Sequence, residues 1–160
     1  GMGKGFFYAM KTLDAGRIGV GAMATGIAQG AMEKAIEFVK TREQFGKTIK
    51  EFQGLQWYLA EMLTDVYAMR NMVYRVASDK DAGVDVATQA AMVKLFCTEA
   101  AQRVVDRALQ LHGGYGYCKE YDVERYYRDI RITRIYEGTN EIQKNIIARD
   151  VLKKDPRTWH

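Results

Sequence analysis

The chain has 160 residues, 48% hydrophobic and 28% charged, the make-up of one folded domain with a proper core. A net charge of +4 suits anionic small molecules and is too weak and too scattered to argue for nucleic acid. Two cysteines, Cys97 and Cys118, form neither a disulfide framework nor a metal cluster and fit a reducing cytosolic setting, and no apolar run reaches the roughly 18 residues that span a bilayer.

Helical spacing is sustained along the chain and strand-like alternation is not. The opening Gly1-Met2-Gly3 reads as a cloning scar, so a longer native protein is expected. A short helix is expected before Asp14. A first long helix follows, with Val20, Met23, Ile27, Ala31, Ala35 and Phe38 as its apolar series and Gly46 just past its end. The second carries Leu55, Leu59, Met62, Val66, Met69, Val73 and Val76 and ends at Gly83. The third carries Val86, Ala90, Val93, Phe96, Ala100, Val104, Ala108 and Leu111, with Asp85 able to cap its start and Gly113-Gly114 closing it. Shorter helices are predicted at about Val123 to Arg131 and Asn140 to Leu152, the latter with Ile142, Ile146 and Ile147 as its apolar face. The sole proline, Pro156, lies beyond them. The pattern predicts an all-α, up-and-down four-helix bundle forming one domain over 1–160, its long helices about 40 Å each.

Several chemistries are excluded by residue type. Gly19-Val20-Gly21-Ala22-Met23-Ala24 matches a dinucleotide fingerprint but lies inside a helical pattern with no strand before it, so it reads as close helix packing. His112 and His160 are the only histidines and neither has a Glu three residues earlier, which removes a di-iron bundle; no metal site is expected. Ser78, the sole serine, has no glycine elbow. Arg125, Arg128, Arg131 and Arg134, interleaved with tyrosines, read as a solvated face paired with Glu124 and Asp129.

Four segments carry more. Arg42-Glu43-Gln44-Phe45-Gly46-Lys47 joins a fork-shaped phosphate donor to an amide, an aromatic and a turn glycine. Gln110-Leu111-His112-Gly113-Gly114 offers backbone that a flat ring or a diphosphate can approach closely. Asp14 and Arg17 stand one helical turn apart as an ion pair. Glu137, between Tyr136 and Gly138 and ahead of the Thr139-Asn140 helix start, is a carboxylate at a junction with exposed N–H groups, placed to take a proton from an acidified carbon.

Taken together and in this order, Thr41-Arg42-x-Gln44-Phe45-Gly46, Gln110-x-x-Gly113-Gly114 and Ile135-Tyr136-Glu137-Gly138-Thr139 resemble the C-terminal domain of the acyl-CoA dehydrogenase family. The likeness runs from about Gly5 to Lys153, and Leu13-Asp14-x-Gly16-Arg17-Ile18 is most similar to the short-chain, butyryl-CoA branch. It implies FAD as cofactor, an acyl-CoA substrate, an electron-transfer flavoprotein as acceptor and a dimer-of-dimers homotetramer. The setting it implies is the bacterial cytoplasm or the mitochondrial matrix. It further implies an N-terminal helical domain and a middle β-domain outside this chain, without which the domain is expected to bind FAD weakly and turn over nothing.

Residue by residue, the resemblance makes Glu137 the base that removes the substrate α-proton, its own N–H helping to hold the developing enolate. Tyr136 and Gly138 would meet the acyl group, and Asp14, Arg17 and Arg149 the CoA part. Arg42, Glu43, Gln44, Phe45, Phe52 and Gln53 would hold FAD. Gln110, Leu111, His112, Gly113 and Gly114, together with Thr139, Asn140 and Glu141, would approach it across a subunit boundary. Two other readings stay open: an acyl-CoA oxidase-like flavoprotein of the same superfamily, and a non-catalytic bundle serving oligomerisation. The second has no need of Glu137.

Overall fold

The computed structural model describes residues 3–154, apart from the side chains of Phe6, Phe7, Met10 and Lys11. Pro156 and His160 lie outside the described residues. The elements are α1 (Gly5–Thr41), β1 (Glu43–Gln44), β2 (Lys47–Thr48), α2 (Gln53–Asp81), α3 (Ala87–His112), α4 (Val123–Ile132) and α5 (Asn140–Val151). Two 3-10 turns, Ile49–Glu51 and Gly113–Tyr117, lead into α2 and out of α3. The expected separate helix before Asp14 is absent: α1 runs unbroken for 37 residues, about 55 Å, because no proline or helix-stopping turn lies within it.

The bundle is built on α3, which is flanked by α1 and α2 and crossed by α4 and α5. The buried stripe of α1 is Ala24, Ala28, Ala31, Ala35 and Val39, so small side chains bring its axis close to α3. A Cβ at Gly21 would overlap Val93 on α3, which explains the glycines of the fingerprint-like run as packing. Met23, expected in this stripe, is 43% exposed because the true seam runs one position further on. Gly21 meets Val93 and Phe38 stacks on His112, so α1 and α3 run the same way. Asp65 pairs with Arg103 and Cys97 donates to the Met69 carbonyl, so α2 runs opposite to α3. Asn140 reaches Thr98 and Asp150 reaches Thr88, which makes α5 antiparallel to α3 as well.

Two local readings change. Arg42–Thr48 is a hairpin, with Glu43 opposite Thr48 and Gln44 opposite Lys47. Its turn residues Phe45 and Gly46 have φ of 54° and 77°, the two left-handed positions of a tight two-residue loop, so Gly46 serves this turn and α1 ends at Thr41, with an extended Arg42 as its cap. On α5 the expected apolar face is not the buried one: Ile142 is 48% exposed and Ile146 and Ile147 are half-buried, while Asn140 and Gln143 are buried. The surface of α3 that α5 covers is itself polar, presenting Lys94 and Thr98, and it selects polar partners.

Candidate active site and cofactor cleft

The loop from Arg134 to Asn140 closes on itself through a hydrogen bond from the Asn140 N–H to the Arg134 carbonyl, 3.1 Å. Thr139 caps α5, its hydroxyl accepting from the Ile142 N–H at 3.4 Å. Between these fixed points Glu137 takes φ 55°, a left-handed conformation rare for a side chain bearing a Cβ, followed by Gly138 at φ 84°. Such strain persists only where the surroundings over-determine it, and it gathers at functional sites. Gln143, fully buried, supplies that determination: its Nε2 donates to the carbonyls of Glu137 at 3.2 Å and Gly138 at 2.9 Å.

With both carbonyls tied back, the N–H groups of Glu137 and Gly138 donate to no group among the described residues. The half-buried Glu137 carboxylate lies over α1 at Gly16. A Cβ built there would stand 2.6 Å from Oε2 and 3.0 Å from Cδ. Tyr136, next in line, sets its hydroxyl 3.7 Å from Met23 Sδ, and burial first and the Glu137 charge second raise its pKa. One residue beyond Gly16, Arg17 is buried and donates to Asp14 at 2.8 Å, while its Nε finds no acceptor. Arg149 stands at the same end of α3 in a groove with Thr88 and Asp150. A carboxylate, a free N–H and a partly unsatisfied guanidinium therefore share one end of the bundle.

Arg42, Gln44, Gln110, Leu111, His112, Gly113 and Gly114 gather elsewhere, around an open cleft of about 540 Å³. Its wall is aromatic. His112 stacks on Phe38 at 4.4 Å, Tyr121 meets both edge-on, and the Arg42 guanidinium lies 5.0 Å from the Tyr115 ring centre. Burial lowers the His112 pKa, and its Nδ1 lies 2.7 Å from the Ala108 carbonyl, so this ring is a structural part of the wall. Gly113 turns the chain at φ 59°. Gly114 has no such backbone demand, yet a Cβ there would meet nothing within 4 Å: the space above it is left open within the chain. Glu43, Phe45, Phe52 and Gln53 do not line this cleft; Glu43 and Gln53 are exposed, and Phe45, at 91%, meets the Phe52 ring edge-on. A phosphate-binding guanidinium beside approachable backbone and flat rings fits part of a dinucleotide.

The expected site residues thus separate into two groups. Gly16, under Glu137, and Phe38, in the cleft wall, are about 33 Å apart along α1. Thr139, Asn140 and Glu141 belong to the Glu137 end and do not join the cleft. Asn140 is 2% exposed, its amide spent on Lys94, Thr98 and Glu99 within the chain. The Glu141 carboxylate is held below its usual range by its own N–H and the Thr139 hydroxyl. Lys94, Gln143 and Gly16 went unnoticed as site residues in the sequence. Lys94 was open to detection: it sits four residues after Ala90 and four before Thr98, within the buried face of α3.

The family model described as acyl-CoA dehydrogenase, C-terminal domain, matches residues 3–152. The chain belongs to the acyl-CoA dehydrogenase family. Among relatives in this family, an acryloyl-CoA reductase (NADH) of Anaerotignum propionicum is 53% identical over 95% of the chain and 39% of its own length. A short-chain-specific acyl-CoA dehydrogenase of Clostridium acetobutylicum is 48% identical over 94% of the chain and 40% of its own length. The solved structure of butyryl-CoA dehydrogenase from Megasphaera elsdenii superposes with a TM-score of 0.93 at 47% identity, over 94% of this chain and 39% of that one. The chain therefore spans about two fifths of the length of the acyl-CoA dehydrogenases it matches, and it corresponds to their helical C-terminal domain.

Proposed function

We propose that this chain is the base-bearing domain of a longer FAD-dependent enzyme that converts short-chain acyl-CoA thioesters to trans-2-enoyl-CoA. The observation that carries the reading is Glu137: a half-buried carboxylate on a left-handed backbone, with its own N–H unclaimed and its side chain over a glycine. A thioester α-proton is only weakly acidic, so its removal needs a partly desolvated base and a donor for the charge developing on the thioester oxygen. Glu137 offers both from one residue: the carboxylate accepts the proton from Cα, and the N–H meets the oxygen. Tyr136 and Gly138 border the acyl group, while Asp14, Arg17 and Arg149 stand at the end of the bundle where an anionic CoA would run. When bound, the flavin supplies the acceptor for the hydride that leaves Cβ.

Arg42, Gln44, Gln110, Gly113 and Gly114 would hold the dinucleotide portion of FAD, with Phe45, Phe52 and Gln53 meeting it from outside the cleft. Because about 33 Å of α1 separates them from Glu137, the pocket is completed by a second copy of the chain, in keeping with a homotetramer. Leu63, Tyr67 and Tyr74 form an exposed stripe on α2 suited to such assembly. An electron-transfer flavoprotein would take the electrons onward. Among the described residues no helix is long and apolar enough to cross a membrane, which is compatible with a cytoplasmic or mitochondrial-matrix enzyme.

Glu137→Gln in the longer protein tests the reading. Flavin content and assembly should be unchanged while reduction of the flavin by butyryl-CoA is lost; reduction at the normal rate would sink it. The acryloyl-CoA reductase relative supports a second reading, in which the same carboxylate returns the proton to Cα of a 2-enoyl-CoA. Turnover of acryloyl-CoA with a reduced donor, measured against butyryl-CoA oxidation, separates the two directions.

A further inference from the structure

We propose that Lys94 and Gln143 are positioning residues for Glu137, Lys94 fixing the Asn140 anchor at the foot of its loop and Gln143 holding the two carbonyls at its tip. The inference rests on the reading of Glu137 as the base. Lys94 is the largest fully buried side chain among the described residues, at 0% exposure in the middle of α3. Burying an ammonium is costly unless its donors are used, so such a group needs a structural return. Its partner is Asn140 Oδ1 at 2.7 Å. The Asn140 amide donates onward to Thr98 Oγ1 at 3.0 Å and Glu99 Oε1 at 2.8 Å, and Glu99 is paired with Arg134 at 2.9 Å.

Arg134 and Asn140 are the two feet of the loop, already joined by their own backbone hydrogen bond. Lys94 therefore fixes where the loop leaves and re-enters the bundle. Gln143, one turn into α5, then sets the tip: with its amide on Glu137 and Gly138, the left-handed turn is enforced and the Glu137 side chain is aimed at Gly16. Neither residue touches the place where a substrate would lie, so both act through Glu137. Burial pushes the Lys94 pKa down to about 8 against the pull of Glu141 on α5 and Glu99 on α3, with Arg134 on the loop and Arg17 on α1 adding to the decrease. The ammonium is thus held where its charge is least welcome.

Two variants, Lys94→Met and Gln143→Met, test this in the longer flavin-loaded protein and by amide hydrogen exchange in the present chain. We expect each to keep its flavin content and the KM for butyryl-CoA within a few-fold, while the rate of flavin reduction falls about 10–100-fold, as for a catalytic group displaced by an ångström. Exchange at the Asn140 amide, bonded to the Arg134 carbonyl, and at the Ile142 amide, bonded to the Thr139 hydroxyl, should accelerate while that at Val104 is unchanged. Reduction and exchange at wild-type rates in the folded variants overturn the proposal, as does failure of both to fold, which would mark the cluster as a folding determinant only. If one variant fails to fold, the other decides. Glu137→Gln runs alongside: if it too reduces flavin normally, the proposed function has failed; if it is inactive while both methionine variants are normal, only this inference has.

Discussion

Glu137 Oε2 stands 2.6 Å from the point where a side chain on Gly16 would begin. Gly16 lies inside α1 at an ordinary helical φ, so the helix itself has no need of glycine there. The atom it spares is the end of a flexible side chain, and moving that atom leaves the fold intact. Gly16→Ala should therefore hold or raise stability, by up to about 1 kcal/mol from helix propensity, while the carboxylate is pushed off its resting place. Thermal unfolding of this chain and the rate of flavin reduction in the longer protein should move in opposite directions. A variant that is as active as the wild type would show that the carboxylate does not work from this position.

Gly21 makes the opposite case. The atom a Cβ would meet is Val93 Cγ1 at the α1–α3 seam, where neither neighbour can swing into solvent. Gly21→Val should cost about 1–3 kcal/mol through overpacking. Urea unfolding at fixed pH measures it, and a neutral result would mean that α1 shifts freely on α3.

These two glycines mark how far the amino-acid sequence can be read. The long apolar series of α2 and α3 gave their helices, and the glycine-rich run around Gly21 was legible as packing. The role of Gly16 was not, since it depends on a carboxylate that arrives from the far end of the chain. The motifs around Arg42, Gln110 and Glu137 identified the family but not how their residues are distributed in space. Spacing along a chain does not reveal that Arg42 and Glu137 occupy opposite ends of one bundle, and α5 was misread because Ile142 faces outward and Ile146 and Ile147 are only half-buried while Gln143 is fully buried. A polar patch on α3 decided that orientation, and Lys94 was its overlooked cause.

Lys94 also gives a pH signature. In the unfolded chain it titrates near the ordinary 10.5, in the folded chain near about 8. Between those values the unfolded state holds a proton that the folded state has released, so this group's contribution to stability rises with pH across that window. Below pH 8 both states are protonated and the burial cost is borne in full, on the order of 3 kcal/mol. Relative to Lys94→Met, the wild type should gain stability from pH 8 to 10. A flat or falling difference in denaturation midpoints would contradict the burial of a charged amine.

The thiols offer a test that needs no turnover. Cys97 is buried, and burial pushes its thiol up to about 12. Cys118 is exposed and lines the Arg42–Gly113 cleft. A disulfide reagent should titrate one thiol in the folded chain and two in denaturant. In the longer protein, FAD should slow modification of Cys118. Equal reactivity with and without FAD would place the dinucleotide elsewhere.

An uninterrupted α1 has one more outcome. Its length sets the interval between the Glu137 end and the Arg42 cleft, so the rod behaves as a ruler. Excising one turn anywhere along it would bring the ends nearer by about 5 Å while leaving every residue at either terminus unaltered. Lineages carrying this helix should consequently tolerate substitutions along its solvent side far more readily than any change in its residue count.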